Sequence, residues 1–348
     1  MGTNAGLDRV RLPAAVSPLV AAELAGEPRR RRVLAAFPSC LYVELGAHER
    51  VLAVLASDAL LLPIGVRLAV PSAEVQWGVE PGGHVVVGEG RVRLPQADVV
   101  AVRPLRPGRV LPSAVGIGAA AAPDWSALPD PGLLGDLAHD LAAAALAGGS
   151  ADPGVRGLVG VGHGLTPSGD DALCGVLLAL SAVESPEARR ALAAVRTVVR
   201  SVLPRTTSLS AALLVAAGDG YAVPAVARLV TLLVGAGYAA PGVSRPATLA
   251  AAAGPTGRME GPKPVLEPGS AGSIRSVGPS LRDWGHGKAA DVVEDPATSR
   301  VTSRVTELVE RVLAIGHTSG RDLLAGVSGA LRAVHHHAST TREGVHRA

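Results

Sequence analysis

The sequence predicts an α+β protein: an N-terminal β-rich, barrel-like domain followed by a C-terminal all-helical domain. Three observations carry that reading. Short Val- and Leu-rich runs, separated by Pro, Gly and charged breaks, fill residues 33–115. Past Pro131 the runs become Ala/Leu-rich and of helical length. Aromatic residues make up only 2% of the 348 residues, so both cores must be built from Ala, Val and Leu. The expected division is 1–128 for the β-rich part with a short leading helix and 129–335 for the helical part. Residues 241–300 interrupt the latter, and 336–348 form a frayed tail.

Taken in order, residues 12–25 suit a short amphipathic helix. Arg29, Arg30, Arg31 and Arg32 then read as a solvated turn before a strand, a basic anion patch being the other option. "CLYVELG", "RVLAVLA", "VRLAV", "HVVVGEGRVRL" and "DVVAVRPL" are strand candidates, and their even spacing suits a small barrel or sandwich. Helices are expected at Leu133–Leu146, Asp170–Val183, Pro186–Leu203, Leu209–Ala217, Pro224–Val234, Thr302–Ile315 and Asp322–Val334. Between them, 241–300 is rich in Gly, Pro and Ser with little apolar periodicity, the pattern of a mobile insertion. His335, His336 and His337 suit a solvated end better than a metal site.

Composition excludes several classes. A net charge of +3 is too small to mark a nucleic-acid binder, and the scarce aromatics leave few base-stacking platforms. Cys40 and Cys174, the only cysteines, make neither a disulfide framework nor a zinc site. No apolar run approaches the ~20 residues needed to span a bilayer. Met1–Arg11 lacks the pattern of a signal peptide, so a cytoplasmic protein is expected.

One stretch, "GLVGVGHGLTPSGDDALCG" at 157–175, carries chemistry. As plain structure it is a well-made helix start. Pro167 suits the first helical position behind a Thr166 cap, or Ser168 caps with Asp171 three residues on. Such a cap contributes roughly 1–2 kcal/mol. As a site, it offers Gly164, Thr166, Ser168 and Gly169 at a positive helix end, open to phosphate or carboxylate. Asp170 and Asp171 can then hold Mg²⁺, orient a basic group or bind an amide NH₂. It is neither a Walker loop nor a dinucleotide fingerprint.

A second stretch, "AIGHTSGRDLLAG" at 314–326, repeats the pattern S-G-x-D-x-L-x-G. Thr318, Ser319, Gly320 and Asp322 stand where the first copy has its own cap and carboxylate, and Gly316-His317 echoes Gly162-His163. Gly175 and Gly326 lie one turn into their helices, where glycine costs ~1 kcal/mol relative to alanine, a cost that close helix packing would explain. A third cluster, "LPRTTSLSAALLVAAGDG", sets Arg205, Thr206, Thr207 and Ser208 ahead of another helix, either as part of an anion pocket or as one more capped start. The candidate catalytic residues are Asp170, Asp171 and His317. The candidate ligand-binding residues are Gly164, Thr166, Ser168, Gly169, Arg205, Thr207, Thr318, Ser319, Gly320 and Asp322. His163 is a weaker candidate than His317 for a direct chemical role.

These three stretches together resemble the signatures of the AllH-like family, long known as a domain of unknown function. The resemblance covers roughly 130–240 and 302–332. It departs from the usual pattern at His163, where Pro is usual, and at Ala172, where an aromatic is usual. What the resemblance implies is a subunit of oxamate carbamoyltransferase, acting in anaerobic allantoin breakdown with partner subunits of the AllF and AllG types. The implied reaction turns oxalurate and phosphate into oxamate and carbamoyl phosphate. Two other readings stay open: a non-catalytic scaffold subunit with capped helices, and a Mg²⁺-dependent phosphoryl-transfer enzyme.

Overall fold

The computed structural model describes residues 9–113, 127–236 and 296–346. The expected insertion, except for its last five residues, lies outside them. Ten strands and nine helices follow in chain order among the described residues. The first part comprises β1 (Val10–Val16), α1 (Ala21–Ala25), β2 (Arg29–Phe37), β3 (Cys40–Glu44), β4 (Val51–Leu55), β5 (Gly65–Leu68), β6 (His84–Gly88), β7 (Arg91–Arg93), β8 (Ala97–Pro104) and β9 (Gly108–Arg109). The second comprises α2 (Gly132–Leu146), α3 (Asp152–Leu158), α4 (Ser168–Ala182), α5 (Pro186–Val202), α6 (Ser208–Gly218), β10 (Tyr221–Ala222), α7 (Pro224–Ala236), α8 (Pro296–Leu313) and α9 (Ser319–His346).

β1 to β8 close into a barrel in the order β1-β5-β4-β3-β2-β6-β7-β8. Val33, Leu41, Leu52, Val66, Val92 and Val99 are wholly buried in its core. β6 and β7 join through a two-residue turn with positive φ at both Glu89 (54°) and Gly90 (72°), a geometry that matches the twist of the flanking strands. Every residue of β4 is buried, because α6 covers that part of the wall with Leu209 and Ala212.

Two expectations fail in this half. Residues 12–25 are not one helix: β1 takes Val10–Val16 and only Ala21–Ala25 is helical. β1 closes the barrel by pairing in parallel with β8 and antiparallel with β5, and that long-range pairing outweighs the local helical periodicity. Arg29–Arg32 are not a turn either. They are the first half of β2, paired residue by residue with Val87, Val86, Val85 and His84.

In the helical half α4 is the axis. Every residue from Gly169 to Leu180 is buried, which suits a helix apolar on all sides. α9 lies between α4 and α2, and glycines set both contacts. A Cβ on Gly175 would stand 2.7 Å from the Val327 nitrogen, and one on Gly326 2.8 Å from the Ala172 Cα. On the other side of α9, a Cβ on Gly329 would stand 2.9 Å from the His139 nitrogen. Ser185 caps α5 by accepting from the Ala188 N–H at 3.0 Å, with Pro186 at the first helical position. α9 runs on through His335, His336 and His337 to His346, past the expected end at Val334, since no Pro interrupts it and no Gly follows before Gly344. No helix of the described residues is long and apolar enough to cross a membrane.

Candidate functional site

The starts of α4, α6 and α9 meet. Thr166 Oγ1, in the Gly-rich loop before α4, lies 3.0 Å from Ser319 Oγ, the first residue of α9. The two copies of the repeated motif therefore lie side by side, brought together by the glycine contact between α4 and α9.

Neither Thr166 nor Ser168 caps α4. The cap position is Pro167, which has no side-chain cap bond. Backbone carbonyls satisfy the helix start instead. Pro167 O accepts from Asp170 N at 2.9 Å and Asp171 N at 3.1 Å, and Val161 O accepts from Gly169 N at 2.8 Å. α9 is built to the same plan, with Gly320 N donating to Ile315 O at 3.1 Å and Asp322 N to Thr318 O at 3.0 Å. Gly169 and Gly320 are also steric necessities. A Cβ would stand 2.9 Å from the Leu158 carbonyl carbon in the first and 2.8 Å from that of Val312 in the second. The N–H groups of these two glycines are thus turned to the preceding loop.

The two aspartates play different parts. Asp170, 1% exposed, accepts from Gly160 N through Oδ1 at 2.9 Å and from Thr206 Oγ1 through Oδ2. It holds the Gly-rich loop to the turn before α6. Burial pushes its carboxyl up, and the bonds from Thr206, Gly160 and Ser210 pull it back. Thr206 hands the connection on to the barrel, its carbonyl lying 2.9 Å from His48 Nε2, while His48 Nδ1 lies 3.2 Å from Ser208 Oγ. Because a carbonyl only accepts, His48 donates to it from Nε2.

Asp171, 7% exposed, faces the start of α9. Burial pushes its carboxyl up to about 7. The nearby charges of Asp322 and Asp170 push the same way, against the hydroxyls of Ser319 and Thr166. Oδ2 of Asp171 and Oδ2 of Asp322 are both buried without a hydrogen-bond partner. Below them the buried Cys174 thiol is pushed well up by burial and by Asp171 and Asp170, which keeps it unreactive.

Of the remaining candidates, Thr207 donates to Leu165 O at 2.5 Å and accepts from Ser210 N at 3.1 Å, so it caps α6 and pins the loop at once. Ser168 is half-buried, and Gly164, Arg205, His317 and Thr318 are exposed. Among the described residues neither the His317 nor the Arg205 side chain has a hydrogen bond or ion pair to the aspartates. Gly160, Ser210 and His48 were not among the candidates, and Thr206 entered only as one hydroxyl of the cluster beside Arg205. The Thr-Thr-Ser run signalled Thr206, whereas nothing local points to His48. No three His, Cys, Asp or Glu side chains of the described residues are grouped as metal ligands. A separate cavity of about 600 Å³ opens where the barrel meets α5 and α6, between Leu19, Val51, Ile64, Leu203 and Val215. Its lining includes Leu203, Pro204, Ala212, Val215, Ala216 and Asp219 of the third stretch, but no residue of the two S-G-x-D copies.

No curated protein and no solved structure matches the chain. Residues 158–248, which hold the Gly-rich loop, α4, both aspartates of its first turn and the start of α6, match the family model described as oxamate carbamoyltransferase subunit AllH, and this match supports an AllH-like assignment for the chain.

Proposed function

We propose that the chain is a subunit of a carbamoyltransferase-type complex and binds an anionic small molecule where the starts of α4 and α9 meet. The observation that carries this reading is Asp171: a buried carboxyl with one bare oxygen, at the junction of two helix starts, inside the segment that matches the family. A buried acceptor left without a donor costs roughly 1–3 kcal/mol, and a bound ligand relieves that cost.

The reaction is that of the family: one phosphate oxygen bonds to the carbamoyl carbon of oxalurate. The bond from that carbon to the amide nitrogen breaks, and the nitrogen takes a proton and leaves as oxamate. Such a transfer needs an anion site and donors for the developing oxyanion rather than a covalent nucleophile. Thr166, Ser168, Thr318 and Ser319 offer hydroxyls, and Arg205 and Arg321 are exposed cations that can reach for the anion. His317 is the remaining candidate for proton transfer. The partners would be subunits of the AllF and AllG types, in the cytoplasm.

Thermal unfolding with added ligand tests the reading. Phosphate or carbamoyl phosphate should raise the melting temperature at millimolar concentration. A scaffold subunit would respond only to partner proteins, and a phosphoryl-transfer enzyme to Mg²⁺-nucleotide; either pattern without a response to carbamoyl phosphate sinks the proposal.

A further inference from the structure

The family match ends before α8 and α9, yet the site does not. Half of its polar groups come from α9, in the second copy of the motif. Two carboxylate oxygens, one from each copy, are buried and bare: Oδ2 of Asp171 and Oδ2 of Asp322. Asp171 is more than nine-tenths buried, and the groups acting on it include Ser319 and Asp322 of the α9 start beside Asp170 and Thr166 of its own motif copy. Beside them lie two hydroxyls in mutual contact, Thr166 Oγ1 and Ser319 Oγ, 3.0 Å apart.

What such a set lacks is N–H donors. Each bare oxygen needs one, and a buried acceptor without one is costly. We infer that the Asp171–Asp322 pair is the binding site for a primary amide group, with one N–H of the –NH₂ directed at each bare oxygen and the amide carbonyl accepting from the Thr166–Ser319 hydroxyls. The inference rests on the functional reading above and adds which end of the ligand α4 and α9 recognise.

A cation is the competing occupant, because two ionised carboxylates would attract one. The charge state argues against it. Burial pushes the Asp171 carboxyl up to about 7, towards the neutral form, and a protonated carboxyl is a poor ligand for a cation. A carboxyl that holds a proton both donates and accepts, which suits an amide that does the same.

Two pairs of small molecules isolate the –NH₂. Oxamate and pyruvate share a 2-oxo carboxylate and differ by –NH₂ against –CH₃. Carbamoyl phosphate and acetyl phosphate differ in the same way. Calorimetric titration of the full chain should show at least one amide bound about ten- to a hundred-fold more tightly than its methyl twin. Asp322→Asn, which turns an acceptor into a donor at a half-buried position, should reduce that ratio to near one while the methyl twin binds as before. Thr166→Val, a second variant that leaves both carboxyls in place, should weaken the amide more than the methyl compound. Equal binding of both twins overturns the inference and leaves the functional reading standing. Stabilisation by Mg²⁺ alone, with no amide preference, also overturns it. Binding of none of the four compounds removes the functional reading, and this inference with it.

Discussion

Gly175 of α4 and Gly326 of α9 face each other backbone to backbone, with room for no Cβ on either. A helix interior normally loses about 1 kcal/mol by carrying glycine instead of alanine. Here the contact reverses the sign. Gly175→Ala and Gly326→Ala should each destabilise by about 2 kcal/mol, since the obstacle is backbone and cannot swing aside. Gly157, helical in α3 with nothing within 4 Å of its would-be Cβ, is the control. Gly157→Ala should stabilise by about 0.5–1 kcal/mol. Urea unfolding of the three variants checks the contrast, and equal effects at 157 and 326 would contradict it.

Asp171 should make stability depend on pH. Its carboxyl titrates near 3.8 when unfolded and at about 7 when folded, so the folded chain holds this proton more tightly. The contribution is complete below the unfolded value and is lost as pH rises through about 4 to 7, by at most ~1.4 kcal/mol per unit. Asp171→Asn removes the titration. Wild type and variant should be similarly stable near pH 4, and the variant the more stable at pH 8. Denaturant curves across that range give the difference; a difference independent of pH counts against the assignment.

Asp170 should behave as a fastener. Both its oxygens already have donors, so Asp170→Asn keeps the Gly160 bond and turns an NH₂ to Thr206, at a cost of about 1 kcal/mol. Thr206→Val removes a donor and leaves a buried oxygen short, for about 1–3 kcal/mol. Ligand-dependent stabilisation should survive Asp170→Asn better than Asp171→Asn. The opposite order in a melting assay would move the ligand to Asp170.

His48 ties the barrel to the turn before α6 across 158 residues of chain. His48→Ala should cost about 1–2 kcal/mol, two modest hydrogen bonds at a partly buried position. Amide hydrogen exchange should rise at Thr206–Ser210 more than in the barrel core. Uniform exchange in wild type and variant would show that the bridge does not hold that turn.

Much of the fold was legible because it is local. The helices past Pro131 announced themselves through Ala/Leu runs and boundary residues, and the strand candidates fell on β3 to β8. β1 was not legible, since VRLPAAV carries a Pro and two Ala and becomes a strand only by pairing with β8 and β5. α3 was missed as well: seven residues holding a Pro and two Gly give no helical signal. For the site, the repeated S-G-x-D motif was visible, and its two copies do meet. The division of labour between Asp170 and Asp171 was not, because adjacent residues on a helix point about 100° apart. One turned to the Gly-rich loop and the other to α9, a difference that only the neighbours decide.

The position of α9 between α2 and α4 also bears on how the chain is made. It is synthesised after every other described helix, yet it contributes a wall of the site and the inner layer of the bundle. As the nascent chain leaves the ribosome, the barrel has all its strands long before the bundle has its last helix. Until Ser319 and Asp322 emerge, Thr166 and Asp171 have no counterpart, and α2 and α4 expose glycine-lined faces to each other across an empty slot. The two motif copies therefore meet only at the end of translation of α9, and a ribosome stalled anywhere before it holds a finished barrel and an unfinished helix junction.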